Sequence, residues 1–277
     1  MKKIVVLLFA MASIVTAQAQ VIKTPAPSPT QTIKQDFALS SIEITYSRPN
    51  MKGRTVFGDL APYGKLWRTG ANAATRVTFG EDVTVGSVAL KAGSYVLYTV
   101  PNKDEWEVIF NKGLNNWGVD GYKASEDAAK FKVKPTNLSA PVETFSIQLA
   151  NVTPATADIV VAWEKTQISI PVTAEIDSKI SKAIDAAMNV DNRPYFQAAS
   201  YYFETGKDLN QALAWANKAI EANPKAFWIV HLKAKIQAKL GDKAGAKATA
   251  NQSIALSKEA KNDDYVALNE KLIASLK

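Results

Sequence analysis

The spacing of apolar residues changes once along this chain, and that change sets what it can fold into. Ile42, Ile44 and Tyr46 alternate with Glu43 and Thr45, Val77 and Phe79 with Arg76 and Thr78, and Phe145, Ile147 and Leu149 with Thr144, Ser146 and Gln148. A period of two gives a strand one dry face and one wet face. After Thr173 the apolar residues Ile176, Ile180, Ile184 and Met188 fall four apart, which is one face of a helix. The two periods call for two domains, a β domain over 37–172 followed by an all-α domain over 173–277.

Within the first region, Gly86-Ser87 and Ala92-Gly93 separate apolar runs between Val83 and Pro101, the pattern of consecutive hairpins. Adding Trp106 to Asn111, Phe131 to Val133, Asp158 to Trp163 and Gln167 to Val172 predicts about nine or ten strands and an antiparallel β-sandwich or jelly roll. Ser125 to Lys130 is the one stretch there that suits a helical turn. In the second region Ala212 and Ala246, and likewise Ala219 and Ser253, stand 34 residues apart, with Asn223-Pro224 and Gly241-Asp242 as punctuation. That is the period of a tetratricopeptide unit, so two helical hairpins flanked by one helix on each side are expected. The first hairpin carries one extra residue between Gly206 and Ala212.

The chain opens with Lys2-Lys3, an apolar run from Ile4 to Ala12, and Ala17-Gln18-Ala19, the three parts of a cleavable secretory signal over 1–19. The run is short of the roughly 20 residues that a spanning helix needs, so the expectation is a periplasmic or secreted protein without a membrane span. Residues 20–36, VIKTPAPSPTQTIKQ with its neighbours, read as a flexible proline-rich leader. There is no cysteine, hence neither a disulfide nor a lipid-attachment thiol. Removing Lys2 and Lys3 from 33 basic residues leaves 31 against 26 acidic ones, a net charge of +5. Neither region clusters charge as a nucleic-acid binder does.

Positive charge concentrates in one place. From Tyr46 to Arg76 the chain carries Arg48, Lys52, Arg54, Lys65, Arg68 and Arg76 around a single acid, Asp59, among turn formers and aromatics. Arginine offers a rigid fork of donors for a carboxylate, sulfate or phosphate, and Tyr63 with Trp67 offers a flat platform for a sugar or an aromatic group. The candidate ligand-binding residues are Arg48, Arg54, Tyr63, Lys65, Trp67, Arg68, Asn72 and Thr75. The structural alternative stands beside it: Pro62, Gly64 and Gly70 shape turns, Trp67 fills the sandwich, and Arg68 bonds backbone carbonyls. Tyr46, Asn111 and Trp117 fit either picture.

The same segment, SRPNMKGRTVFGDLAPYGKLWRTGANAAT, followed by AGSYVLYTVP, WEVIFNKGLNNWG and FKVKP, closely resembles the DUF2911 family over roughly residues 37 to 172. These are exported bacterial proteins of unknown function, and a helical tail is common among them. The matching motif runs through Arg48, Pro49, Gly53, Arg54, Phe57, Gly58, Pro62, Tyr63, Gly64, Trp67, Arg68, Thr69, Gly70, Ala71, Asn72 and Thr75. Ala73 stands where the family usually has Glu. A family activity that used that carboxylate would be missing from this protein.

Several chemistries are excluded or weakened by composition. His231 is the sole histidine and falls in the helical region, which rules out a Ser-His-Asp arrangement or a histidine-rich metal site in the β domain. Gly58 to Lys65 lacks phosphate-loop spacing, because five residues separate Gly58 from Gly64 and Leu66 follows the lysine. Asp104, Glu105 and Glu107 suit a solvated hairpin better than a glycosidase pair, and Glu81-Asp82 and Glu126-Asp127 lack calcium-loop spacing. No cofactor is expected. The function expected is therefore a noncatalytic binding protein, its β domain holding an anionic or glycan-like ligand and its repeats a protein partner. The alternatives are an adaptor acting through the repeats alone, and a histidine-independent enzyme.

Overall fold

The computed structural model describes residues 24–189 and 193–276. The proposed signal over 1–19 lies outside them. The chain divides into two compact units, Met1–Ala174 and Glu175–Lys277.

The first unit is built from ten strands in two antiparallel sheets. In chain order they are β1 (Thr30–Phe37), β2 (Ser40–Ser47), β3 (Ala71–Phe79), β4 (Val83–Val85), β5 (Val88–Leu90), β6 (Gly93–Val100), β7 (Trp106–Asn111), β8 (Asp127–Val133), β9 (Thr136–Ala150) and β10 (Thr156–Ala174). The larger sheet has the order β1-β2-β3-β6-β7-β8 and the smaller β5-β4-β10-β9. Alternation decides what fills the space between them: Ile42, Ile44, Val77, Phe79, Leu97, Val108 and Phe110 come from one sheet, Phe145, Ile147, Ile159 and Ile170 from the other, all buried. Tyr46 of β2 meets Phe145 of β9 edge-on at 5.7 Å between ring centroids.

Three expectations are corrected here. Residues 30–36, assigned to the leader, form most of β1, which pairs with β2 from Thr30↔Ser47 to Phe37↔Ser40. Its burial pattern explains the misreading, since only Phe37 is fully buried and an edge strand of polar residues looks like linker. The runs Asp158 to Trp163 and Gln167 to Val172 are one strand. The register of β10 against β9 shifts between Ala162, Glu164 and Thr166. Ahead of this bulge the odd residues Ile159, Val161 and Trp163 are buried, and after it the even residues Ile168, Ile170 and Val172. Glu164 at the bulge has φ +55°, and its carboxylate accepts from the Val56 and Phe57 N–H groups at 3.2 and 3.3 Å. The predicted helical turn shrinks to one 3-10 turn at Ala124–Glu126, and β8 begins directly after it.

Gly86 turns the β4–β5 hairpin with φ +57°, and a Cβ there would lie 2.6 Å from the Phe131 ring, so both backbone and packing require glycine.

The second unit contains α1 (Asp177–Ala187), α2 (Tyr195–Thr205), α3 (Leu209–Ala222), α4 (Phe227–Lys239), α5 (Lys243–Glu259) and α6 (Asp263–Ser275). From α2 onward each helix packs on the next. Ala212, Ala219, Ala246 and Ser253 are buried, as small residues must be where helices cross closely. Asp208 caps α3 by accepting from Asn210 N and Gln211 N, and Asp242 caps α5 by accepting from Gly245 N. Among the described residues no helix is long and apolar enough to cross a membrane.

Candidate functional site

The basic segment, contiguous in sequence, is dispersed by the fold. The Arg48 Nε donates to Phe145 O at 3.1 Å, tying the end of β2 to β9. Arg48 also lines a cavity of about 360 Å3 with Gln31, Lys34, Tyr46 and Gln148. Arg54 closes its own loop, Nε donating to Met51 O at 2.9 Å and Nη2 to Asn50 O at 2.8 Å. Arg76 donates from Nη2 to Leu114 O at 3.1 Å. Lys65 is exposed.

Trp67 is in the core and its face is not available as a platform. Its ring stacks on Trp163 at 6.0 Å and meets Phe57, Trp106 and Phe145 edge-on, while Nε1 donates to Gly70 O at 3.2 Å. Thr75 is also buried, its hydroxyl donating to Thr69 O, and the Thr69 and Thr99 hydroxyls lie 3.0 Å apart. The Asn72 amide donates to Ser28 O and Ser47 Oγ at 3.2 and 3.3 Å. Tyr46 is buried, accepting from Ile147 N at 2.9 Å. These residues hold the domain together.

Arg68 differs from every other arginine of the segment. Its Nε is buried and has no hydrogen-bond partner among the described residues. The guanidinium passes under the loop between β7 and β8, where a Cβ on Gly118 would sit 3.1 Å from Nη1. That loop covers Val96, Tyr98 and Ile109 on the outer face of the larger sheet, with Leu66, Leu114 and Tyr122 packed against them. Its anchors are polar. Asn111 donates to Lys123 O at 3.0 Å and to Asp127 at 2.8 Å, and Asn116 donates to the Tyr98 hydroxyl at 3.3 Å. The Tyr122 hydroxyl donates to Asp127 at 2.9 Å, and burial together with that carboxylate pushes its pKa up to about 12. Trp117 stands at the loop tip, 67% exposed. On the other side of Arg68, Thr69 has φ +53°, rare for a β-branched residue, and Gly70 has φ +150°. Among the described residues, the Arg68 guanidinium thus lies without a hydrogen-bond partner between a strained turn and a tethered loop.

Tyr63 lies elsewhere, at an open end of the sandwich, on the wall of a cavity of about 290 Å3 that also contains Asn102, Trp106 and Asn137. Sequence reasoning missed those three, because they come from separate loops and strands and none has a distinctive local motif. Glu105 and Glu107, considered above as a catalytic pair, form ion pairs with Lys132 at 2.7 Å and Lys130 at 3.0 Å. Among the described residues no group of three or more histidines, cysteines or acids is placed to hold a metal ion.

Two antiparallel sheets followed by helices, with an arginine-bearing turn at the head of β3, define the class: a β domain with a helical tail. The model of the family described as "Protein of unknown function (DUF2911)" matches residues 28–172, more than half of the chain, and the protein belongs to that family. The match starts ahead of β1 and runs into β10. No curated protein and no solved structure matches the chain.

Proposed function

We propose that the protein is an exported, noncatalytic receptor whose β domain holds an anionic ligand through Arg68, while its helical repeats hold a protein partner. The observation that carries this is the Arg68 guanidinium, which has no hydrogen bond or ion pair among the described residues although Arg48, Arg54 and Arg76 each bond a backbone carbonyl. The side chain is half-buried and its Nε fully so; a buried N–H is rarely left without an acceptor, and an anion supplies the missing one. Export rests on the Lys2-Lys3, apolar and Ala17-Gln18-Ala19 pattern. Trp228 and Leu268, exposed at 37% and 46% on α4 and α6, support a protein contact on the helical unit.

Thermal unfolding of the mature chain against phosphate, sulfate, citrate and glucuronate tests the reading. An anion at about a hundred times its dissociation constant adds about 2.7 kcal/mol, a shift of several degrees. The Arg68→Ala variant is expected to lose that shift while its unliganded stability stays within about 0.5 kcal/mol of the parent. A variant that loses stability and keeps the anion response would make Arg68 a structural residue.

A further inference from the structure

The second cavity carries a binding site of its own. Among the buried indoles of the β domain, Trp67 donates to Gly70 O at 3.2 Å and Trp163 to Glu143 O at 3.1 Å. Trp106, 2% exposed, has a buried Nε1 with no hydrogen-bond partner among the described residues. Trp106 is also part of the lining of the cavity of about 290 Å3 at the sandwich end, beside Phe57, Tyr63, Asn102, Asn137 and Thr166. The buried members, Phe57 and Trp106, are aromatic; Tyr63 is 39% exposed at the rim. No side-chain hydrogen bond within the described structure occupies the Tyr63 hydroxyl, the Asn102 and Asn137 amides or the Thr166 hydroxyl, whereas Asn72, Asn111 and Asn116 all use theirs.

Apart from Lys103, the lining therefore combines aromatic side chains with neutral groups that both donate and accept. A pyranose matches that combination, since one C–H face packs on the accessible Tyr63 ring, with Phe57 and Trp106 buried behind it, while its hydroxyls donate and accept around the edge. Next to the cavity runs a groove of about 550 Å3 that shares Tyr63, Asn102 and Lys103. It continues past Asp104, Glu105, Glu107 and Lys132, so its two lysines face three acids and it does not favour an anion. We infer that the open end of the sandwich is a carbohydrate site, in which Trp106, Tyr63 and Asn137 hold one neutral sugar ring while the groove beyond Asn102 receives the residue linked to it. This site is separate from Arg68 and does not depend on the anion reading.

Calorimetric titration of the full mature chain with methyl glycosides of the common hexoses and N-acetylhexosamines, then with their β-linked disaccharides, tests it. At least one sugar series is expected to bind, with the disaccharide tighter than the monosaccharide. Tyr63→Ala and Asn137→Ala alter exposed side chains that make no side-chain hydrogen bond among the described residues, and each is expected to weaken sugar binding about tenfold, with the unfolding midpoint unchanged in Asn137→Ala, whereas the Tyr63 ring also packs against Gly58. Trp106→Phe removes the indole N–H together with part of the buried ring, so a similar loss of affinity is expected along with a lower unfolding midpoint. Arg68→Ala should leave sugar affinity unaltered and so separates this site from the anion site. Absence of binding by every glycoside, or binding that survives both Tyr63→Ala and Asn137→Ala, overturns the inference, as does a sugar whose binding is lost in Arg68→Ala.

Discussion

The turn that leads into β3 shows how single residues hold the candidate site. Thr69, Gly70 and Asn72 have φ of +53°, +150° and +57°, and only the glycine adopts such a value without steric cost. A Cβ at Gly70 would lie 3.1 Å from Ser47 O and 3.2 Å from Thr75 Oγ1, so space as well as conformation demands glycine there. The compensating bonds are buried: the Thr75 hydroxyl donates to Thr69 O, and Thr75 N donates to Arg68 O at 3.1 Å. Thr75→Val keeps the volume and deletes the donor, leaving Thr69 O unsatisfied. It is expected to lower stability by about 1 to 3 kcal/mol, read as a lower urea midpoint at unchanged slope. An unaltered midpoint would show that sheet pairing alone holds the turn. At this scale the sequence was informative about which residues matter but not about their roles. Trp67 and Arg68 are neighbours with similar claims to ligand binding, yet one is packed among Phe57, Phe145 and Trp163 and the other has an unpartnered guanidinium.

At the scale of elements, polar groups buried between helices set a pH dependence. Asn269 on α6 donates from Nδ2 to Ser253 Oγ of α5 at 2.9 Å and to Tyr265 O at 2.7 Å, so its Oδ1 accepts from His231 Nδ1–H of α4 at 2.8 Å. Ser253 in turn donates to Phe227 O at 2.8 Å. The groups facing His231 are the Asn269 amide, the Tyr265 ring edge-on at 5.5 Å, and Lys235 one turn on. Burial holds the His231 pKa below its ordinary value of 6.5, with Lys235 acting in the same direction and the Asn269 bond against it. Protonation is thus easier in the unfolded chain. The stability contributed by neutral His231 is complete above about pH 6.5 and declines as the pH falls below it, by at most about 1.4 kcal/mol per unit. Urea unfolding of the parent and of His231→Phe at about pH 7.5 and about pH 5.5 checks this, with the parent expected to lose more on acidification. Equal losses would leave His231 without a role in the pH response. The small residues at 34-residue spacing made the close helix crossings legible. The His231 network was not, because it joins three helices whose residues share no spacing. The bulge in β10 was hidden for a related reason: each half alternates cleanly, and the inversion of phase at Glu164 resembles a break between two strands.

At the scale of the whole molecule, each unit has its own buried residues, aromatic between the two sheets and alanine-rich between the helices. A chain ending at Ala174 is therefore expected to unfold cooperatively in urea, with a slope set by the surface of the β domain alone. A broad, non-cooperative transition would show that the β domain needs the helical tail. The order of the two regions, the class of each and the family membership were determined by the sequence itself, because periodicity and motif spacing are local properties that survive any detail of packing. Only the tertiary structure decided what each side chain meets. It drew Phe57, Tyr63, Asn102, Trp106, Asn137 and Thr166 around one cavity across more than a hundred residues of chain, and it separated Trp67 from the aromatic platform expected of it. The physical reason is that a hydrogen bond or a ring contact extends only a few ångströms in space, so whether a donor is satisfied depends on which distant strand or loop the fold sets beside it.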